Sequence, residues 1–245
     1  MKHIVLFSGG TTSAYVAYMV LKKEKKEDVV LLHTPTYSEN HDADTFRHRV
    51  ARYLGVPITE WGDGRDLWEL IEDNHCLPSS FIPFCTRQLK QEMKEEYYKY
   101  LDSIGEDYIE YVGYGAEEWQ RVQKAYAMNT VIGREVRFPI FDAGISGDEI
   151  KRIITEEWKI PLPKAYEDFD HNNCIPCFKA GKGAWKVSWK KYPDRYAKAV
   201  KYEKKIGHTV FKGISLVQLA EKWQEETEEE ALQVSFADLP CECWI

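Results

Sequence analysis

The stretch Phe7-Ser8-Gly9-Gly10-Thr11-Thr12-Ser13 comes directly after a short apolar run and directly before an amphipathic one. Adjacent glycines let the backbone turn sharply and approach a ligand closely. The helix that follows presents free backbone N–H groups and the positive end of its dipole, which suits phosphate. We name this stretch the phosphate loop. Its predicted ligand-binding residues are Ser8, Gly9, Gly10, Thr11, Thr12 and Ser13.

Two common glycine-rich phosphate motifs are absent from this position. The loop has neither the G-x-x-x-x-G-K-[ST] pattern of a Walker loop nor the G-x-G-x-x-G pattern of a dinucleotide-binding fold. A plain strand-to-helix turn capped by Ser or Thr is the alternative interpretation.

Apolar strand-like runs alternate with amphipathic helical runs through the first two thirds of the chain. This alternation predicts a parallel sheet surrounded by helices. The predicted strands are His3–Phe7, Val29–His33, Ile58–Trp61, Tyr108–Val112 and Val136–Phe141. The predicted helices are Thr12–Lys23, Asp42–Leu54, Thr86–Leu101 and a helix over about 146–158.

Composition excludes several classes of protein. The chain has 245 residues, 44% of them apolar, which is enough for a substantial core and excludes wholesale disorder. Its net charge of −7 argues against a general, charge-driven nucleic-acid binder. No apolar run approaches the roughly 20 residues of a membrane span. We therefore expect a cytoplasmic protein that does not engage a membrane.

Clustered cysteines indicate metal or redox chemistry in a cytoplasmic chain. Cys174-x-x-Cys177 can place two thiolates on one metal ion or cluster. The first-choice ligand set is Cys85, Cys174, Cys177 and Cys243, with Cys241 as the alternative fourth ligand. Spacing does not separate zinc from iron–sulfur, since both accept four thiolates. Buried, inert thiols are the alternative, and the most plausible one for Cys76.

The last third of the chain differs in character. Residues 179–212, which we name the basic region, hold eleven Lys or Arg against two acidic residues. The spacing predicts two or three helices and no further strand. The charges are either a solvated face, paired with the acidic run 221–230, or a surface for a polyanionic partner such as nucleic acid.

The phosphate loop resembles the pyrophosphate loop of the adenine-nucleotide alpha-hydrolase (PP-loop) superfamily, and in particular its phage and bacterial PAPS reductase-like branch. Many members have Asp just before the final Ser, where this chain has Thr12. Five further segments are similar to that branch in the same order. They are Cys85-Thr86-Arg87-Gln88-Leu89-Lys90, Gly113-Tyr114-Gly115-Ala116-Glu117-Glu118 with Arg121, Pro139-Ile140-Phe141-Asp142-Ala143-Gly144-Ile145, Asn173-Cys174-Ile175-Pro176-Cys177-Phe178, and Pro240-Cys241-Glu242-Cys243.

The resemblance implies a five-stranded, mostly parallel sheet with helices on both faces and a nucleotide at the carboxyl ends of its strands. It implies a nucleotide-binding domain over 1–165 and a helical, cysteine-bearing region over 166–245. The implied ligands are ATP, or an adenylyl sulfate such as PAPS or APS, with Mg²⁺, and a [4Fe–4S] cluster on the cysteines, zinc being the alternative. Further implied nucleotide contacts are His33, Thr34, Gly113 and Gly115; implied catalytic cations are Arg87, Lys90 and Arg121.

Three functions remain open from the sequence. The first is an enzyme that adenylates a substrate, either nucleic acid, a nucleobase or a small metabolite, for sulfur transfer or related chemistry. The second is a true phosphoadenylyl- or adenylyl-sulfate reductase with Cys243 as nucleophile, although the tail reads Glu-Cys-Trp-Ile rather than the Glu-Cys-Gly-Ile/Leu-His ending of reductases. The third is a non-enzymatic nucleotide- or cluster-binding module.

Overall fold

The computed structural model describes residues 1–225. Its centre is one five-stranded sheet in the order β3-β2-β1-β4-β5, and every neighbouring pair of strands is parallel. The α/β fold with a parallel sheet is therefore as predicted. The strands are β1 (Lys2–Leu6), β2 (Val29–His33), β3 (Ile58–Glu60), β4 (Tyr108–Tyr111) and β5 (Val136–Arg137).

Helices connect the strands and are the regular elements of the described chain after β5. They are α1 (Thr11–Leu21), α2 (His41–Leu54), α3 (Leu67–Asn74), α4 (Phe84–Thr86), α5 (Met93–Ser103), α6 (Trp119–Val131), α7 (Pro139–Ala143), α8 (Gly147–Arg152), α9 (Ala165–Asp168), α10 (Lys182–Lys191), α11 (Pro193–Ile206) and α12 (Leu216–Glu225). Arg87–Glu92 and Ile153–Glu157 are π-helical. Within residues 1–225, no helix is long and apolar enough to span a bilayer.

The described residues form two compact units. The first comprises residues 1–34, 41–61 and 93–172, and holds the sheet. Its core lies between the sheet and helices α1, α2 and α8, where Val5, Val16, Leu31, Val50 and Ile150 have no measurable exposure. Strands buried on both faces are rich in Val, Ile and Leu, which is the composition that predicted them.

The second unit comprises residues 35–40, 62–92 and the described chain from Asn173 onward. Its core is aromatic. Trp185 is fully buried and contacts the rings of Phe178, Tyr196 and Phe211 at centroid distances of 5.4, 6.0 and 6.1 Å. The basic region thus consists of helices α10 and α11 packed around a tryptophan, as the helical spacing predicted.

Some predicted elements differ from the structure. The fifth strand ends at Arg137 rather than Phe141, because Pro139 has no backbone N–H for the sheet and instead begins α7. Helix α6 was not predicted. It buries only Val122 and Asn129, so it has no apolar stripe to reveal it. Helix α3 was also missed, although Asp66 and Glu69 form a capping box at its start.

A buried polar network ties β4 to the helices of the first unit. Glu110 on β4 is 2% exposed and accepts hydrogen bonds from Tyr98 Oη at 2.7 Å and Lys94 Nζ at 3.1 Å. Arg134 donates two hydrogen bonds of 2.7 Å to Glu95 and lies 4.2 Å from the centre of the Tyr98 ring. Burial acts to raise the pKa of Glu95, but the hydrogen bonds and charge of Arg134 outweigh it and hold that pKa below its ordinary value.

We expect Arg134→Ala to lower the free energy of unfolding by about 1.5 kcal/mol, because it removes two hydrogen bonds that the buried guanidinium donates to the half-exposed carboxylate of Glu95. Arg137→Ala is the control, since Arg137 pairs with Glu135 on the surface and should cost about 0.5 kcal/mol or less. The contribution of ionised Glu95 to the free energy of unfolding is complete above the unfolded-state pKa of about 4.3. It is lost as the pH falls through the lower folded-state value. Urea denaturation should therefore show the wild type and Arg134→Ala converging in acid, and equal losses for both variants at neutral pH would contradict this account.

Candidate functional site

The phosphate loop follows the carboxyl end of β1. The sheet continues through β2 and β3 on one side of β1 and through β4 and β5 on the other, so the strand order reverses at β1. Open parallel sheets bind ligands at such a switch point. Gly113, just after β4, lies against the start of α1: a Cβ built on it would be 3.1 Å from Ser13 N. A side chain at position 113 would push into the loop, so the sequence prediction that Gly113 belongs to this edge fits the geometry.

The loop backbone is shaped by its two glycines. Gly9 has φ +86°, in the left-handed region that favours glycine. Gly10 is the residue before α1, and its carbonyl accepts a hydrogen bond of 2.9 Å from Ser13 Oγ. Ser8 Oγ donates to Ser13 Oγ at 3.3 Å. The hydroxyls of Ser8 and Ser13 therefore hold the turn in place at the N-terminus of α1.

Arg47, on α2, lies against the phosphate loop and was not predicted. Its residue is only 4% exposed, and a Cβ built on Gly9 would be 3.3 Å from Arg47 Nη1. Arg47 Nη2 donates to Asp44 Oδ1 at 2.7 Å. Within residues 1–225, Arg47 Nε and Nη1 are buried and have no hydrogen-bond partner. A buried guanidinium with two unsatisfied donors is costly unless an anion compensates it.

Two side chains from the segment around α9 also contact the loop. Tyr166 Oη accepts a hydrogen bond of 3.1 Å from Thr11 N, one of the free N–H groups at the start of α1. Asn172 Nδ2 donates to the Gly9 carbonyl at 2.9 Å. Asn172 Oδ1 is buried with no partner in the described chain. The loop is thus enclosed by residues more than 150 positions away in sequence.

The other predicted nucleotide-binding residues lie nearby along the sheet edge. His33 ends β2, is 2% exposed, and its Nδ1 is 3.1 Å from the carbonyl oxygen of Phe7. Thr34 follows it and is half-buried. Gly115 N donates to Glu118 Oε2 at 2.8 Å, which fixes the turn after β4. Arg121 pairs with the same Glu118 and lies 4.4 Å from the centre of the Tyr114 ring.

The second unit holds three of the predicted metal ligands around one cavity. Cys85, Cys174 and Cys177 line a cavity of about 30 Å³, which we name the cysteine cavity. Thr36 Oγ1 lies 3.3 Å from Cys174 Sγ. Arg195 donates to the carbonyls of Ser38 and Ile175 at 3.1 and 3.0 Å, which holds the Cys174 loop against the 35–40 segment.

Two lysines face the same cavity. Lys90 and Lys179 both line it, and the buried Lys179 donates to Thr86 Oγ1 at 2.9 Å. Cations beside cysteines favour the thiolate, which is the form that binds metals. Cys76 is outside this lining, and its Sγ donates to the carbonyl of Leu77 at 3.3 Å. No group of three or more His, Cys, Asp and Glu side chains in residues 1–225 is arranged to hold a metal ion, and Cys241 and Cys243 lie outside the described residues.

Several charges of the basic region are internal to the second unit. Lys179 and Lys186 are each 6% exposed, so these two lysines do not belong to the exposed basic face that the sequence predicted. Lys205 pairs with Glu72 at 2.6 Å, and Lys198 lies 3.9 Å from Asp66. These partners lie on or beside α3. The alternative in which the basic region pairs with the acidic run 221–230 stays a prediction, because the structure describes that run only as far as residue 225.

Arg87, a predicted catalytic cation, has a side chain that is 62% exposed and lies 3.4 Å from Glu92.

Neither the family models nor the curated proteins with which the chain was compared give a match. The functional argument therefore depends on the chemistry of the two sites themselves.

Proposed function

We propose that the chain is a cytoplasmic PP-loop enzyme of the PAPS reductase-like type, which binds ATP or an adenylyl sulfate and activates a substrate by adenylation for sulfur transfer or related chemistry. One observation carries the proposal. Among the described residues, the buried Arg47 has no hydrogen-bond partner for two of its nitrogens, Nε and Nη1, and it packs against the glycine turn at the N-terminus of α1. A phosphate chain on the loop supplies the negative charge that this arrangement lacks.

In the proposed reaction, a substrate oxygen attacks the α-phosphorus of ATP. The bond from that phosphorus to the bridging oxygen of the β-phosphate breaks, and pyrophosphate leaves with the electron pair. A sulfur or other nucleophile then attacks the substrate carbon that carries the adenylated oxygen. The bond from that carbon to the oxygen breaks, and AMP leaves with the electron pair. The phosphate loop contributes backbone N–H groups and the dipole of α1, and Arg47 stabilises negative charge that increases on the departing pyrophosphate.

The cysteines fit a thiolate-ligated centre by donor type. Cys85, Cys174 and Cys177 line one cavity beside Lys90 and Lys179. We propose that these cysteines, with a fourth ligand from Cys243 or Cys241, hold a [4Fe–4S] cluster, zinc being the alternative. When bound, an iron–sulfur cluster would supply electrons or hold sulfur for the transfer step. The cysteines of the cavity would fix the position of the cluster, and the lysines would offset its negative charge.

Calorimetric titration of ATP into Gly10→Val tests the assignment of the loop. Among the described residues, a Cβ at position 10 would meet only Ser8 Oγ and Tyr166 Oη, each at 3.6 Å, so the variant has room to fold. The added branches would nevertheless obstruct the approach of a phosphate to the backbone. We expect ATP binding to be lost. Gly147→Val is the control, because a Cβ at that position meets nothing within 4 Å in the part of the chain that the structure describes.

Undiminished ATP affinity in folded Gly10→Val would overturn the loop assignment. ATP–pyrophosphate exchange then separates an adenylating enzyme from a binding module, since only the enzyme returns labelled pyrophosphate to ATP. Release of sulfite from PAPS in the presence of thioredoxin would instead identify a reductase.

A further inference from the structure

A shallow groove of about 500 Å³ lies on the first unit, beside the C-terminal part of α2. Its lining is Arg49, Arg52, Tyr53, Lys159, Ile160 and Pro161. We name it the basic groove. The function proposed above does not use any of these residues.

The groove concentrates positive charge in an acidic protein. Arg49, Arg52 and Lys159 are all exposed, whereas the chain as a whole has a net charge of −7. Within residues 1–225, no carboxylate lies within 4.0 Å of these three cationic groups. The adjacent acids, Glu156 and Glu157, lie 3.6 and 3.8 Å from a different cation, Arg152. Three neighbouring cations without paired carboxylates attract a polyanion.

The groove also presents a stacked aromatic ring. Tyr53 is 49% exposed and stacks on the buried Trp158 at a centroid distance of 4.9 Å and an interplanar angle of 21°. Trp158 in turn stacks on Tyr15 of α1 at 6.2 Å and 17°. The rings beneath Tyr53 hold it in place, and about half of the residue remains open to solvent. A planar group can therefore add to the stack at its exposed end.

We propose that the basic groove binds single-stranded nucleic acid, with a base stacked on Tyr53 and backbone phosphates on Arg49, Arg52 and Lys159. Cations along a groove combined with an exposed aromatic ring are the two components by which proteins bind single strands. A duplex keeps its bases paired and stacked, so it would engage the cations and leave the ring unused. A free phosphate would likewise make no use of the ring.

Fluorescence anisotropy of a labelled oligodeoxythymidine of about 12 nucleotides tests the charges. We expect Arg49→Gln/Arg52→Gln to weaken binding and to reduce the slope of log K against log[salt] by about 1.4, since each lost contact with a single-strand phosphate removes about 0.7. The matched control is Lys190→Gln/Lys201→Gln, which removes two exposed cations from the basic region. An equal or larger loss in the control would overturn the proposal and place the nucleic acid on the basic region instead.

The ring is tested by Tyr53→Leu and Tyr53→Phe in the same assay. Phenylalanine keeps the π-face, so Tyr53→Phe should bind like the wild type, while Tyr53→Leu should bind about tenfold more weakly. Unchanged binding by Tyr53→Leu, or a duplex that binds as tightly as the single strand, would overturn the proposal. Calorimetry with ATP should give the same result for these variants as for the wild type. The result of the oligonucleotide assay therefore does not depend on whether the phosphate loop binds a nucleotide.

Discussion

Arg47→Met should weaken ATP binding by about tenfold to a hundredfold while leaving the protein at least as stable as the wild type. Hydrogen bonds to a charged group contribute about 1.5–3 kcal/mol, which corresponds to that range of affinity. An apolar side chain of similar length removes the cost of burying two donor nitrogens that have no partner among the described residues, and the half-exposed carboxylate of Asp44 stays accessible to water. Calorimetric titration with ATP and thermal denaturation of the same samples measure the two effects.

The opposite signs of the two effects distinguish a ligand-binding arginine from a structural one. If Arg47 served only the fold, the variant would lose stability and keep its ATP affinity once folded. Arg49→Met is the control, since Arg49 is an exposed arginine on the same helix and should change neither quantity. Adenosine, which has no phosphate, should bind wild type and Arg47→Met equally. Unchanged ATP affinity in Arg47→Met would contradict the proposed role.

The strand pattern was predictable because the sheet is parallel and buried. The predicted strand Val29–His33 is a continuous run of four aliphatic residues followed by His33, and the structure has β2 with those bounds. Such runs record burial on both faces directly in the sequence. The pattern fails at Val136–Phe141, where the apolar residues continue beyond Pro139 into α7. The apolar residues there indicate that the segment is buried, but they do not distinguish a buried strand from a buried helix.

The phosphate loop was predictable because its glycines and hydroxyls are consecutive in sequence. The residues that enclose it were not, since Tyr166 and Asn172 reach Thr11 and Gly9 from 155 and 163 positions away. Arg47 did leave a signal. It lies among Ala43, Phe46 and Val50, which are buried positions of α2 at helical spacing. A cation on the apolar side of an amphipathic helix indicates a buried charge, and a buried charge needs a partner.

The cysteine cavity was predictable in part, because the pair Cys174 and Cys177 is local, whereas its neighbours depend on the fold. Lys179 reaches Thr86 across 93 positions and brings a cation to the same cavity. Cys85 was predicted to join the pair because it precedes a helix and resembles a cysteine of the PP-loop superfamily, and the structure places all three cysteines in one lining. Lys90 was predicted to be a catalytic cation and Lys179 to belong to the basic region, and their position beside the cysteines became visible only in three dimensions.

Cys174→Ser/Cys177→Ser should abolish the metal content of the anaerobically purified protein. Serine is nearly isosteric with cysteine but is a poor ligand for iron and zinc, so the cavity keeps its shape and loses two of its proposed ligands. Iron, zinc and acid-labile sulfide analysis measures the loss, and the visible spectrum distinguishes an iron–sulfur cluster from zinc. Cys85→Ser should also lower the metal content.

Cys76→Ser is the matched control, because Cys76 is a cysteine of the same unit that does not line the cavity. It should retain the full metal content. Cys243→Ser and Cys241→Ser then identify the fourth ligand, since only the variant that removes a ligand should lose metal. Full occupancy in Cys174→Ser/Cys177→Ser would contradict the proposed centre outright, because no arrangement of Cys85 and the two tail cysteines alone supplies four protein thiolates.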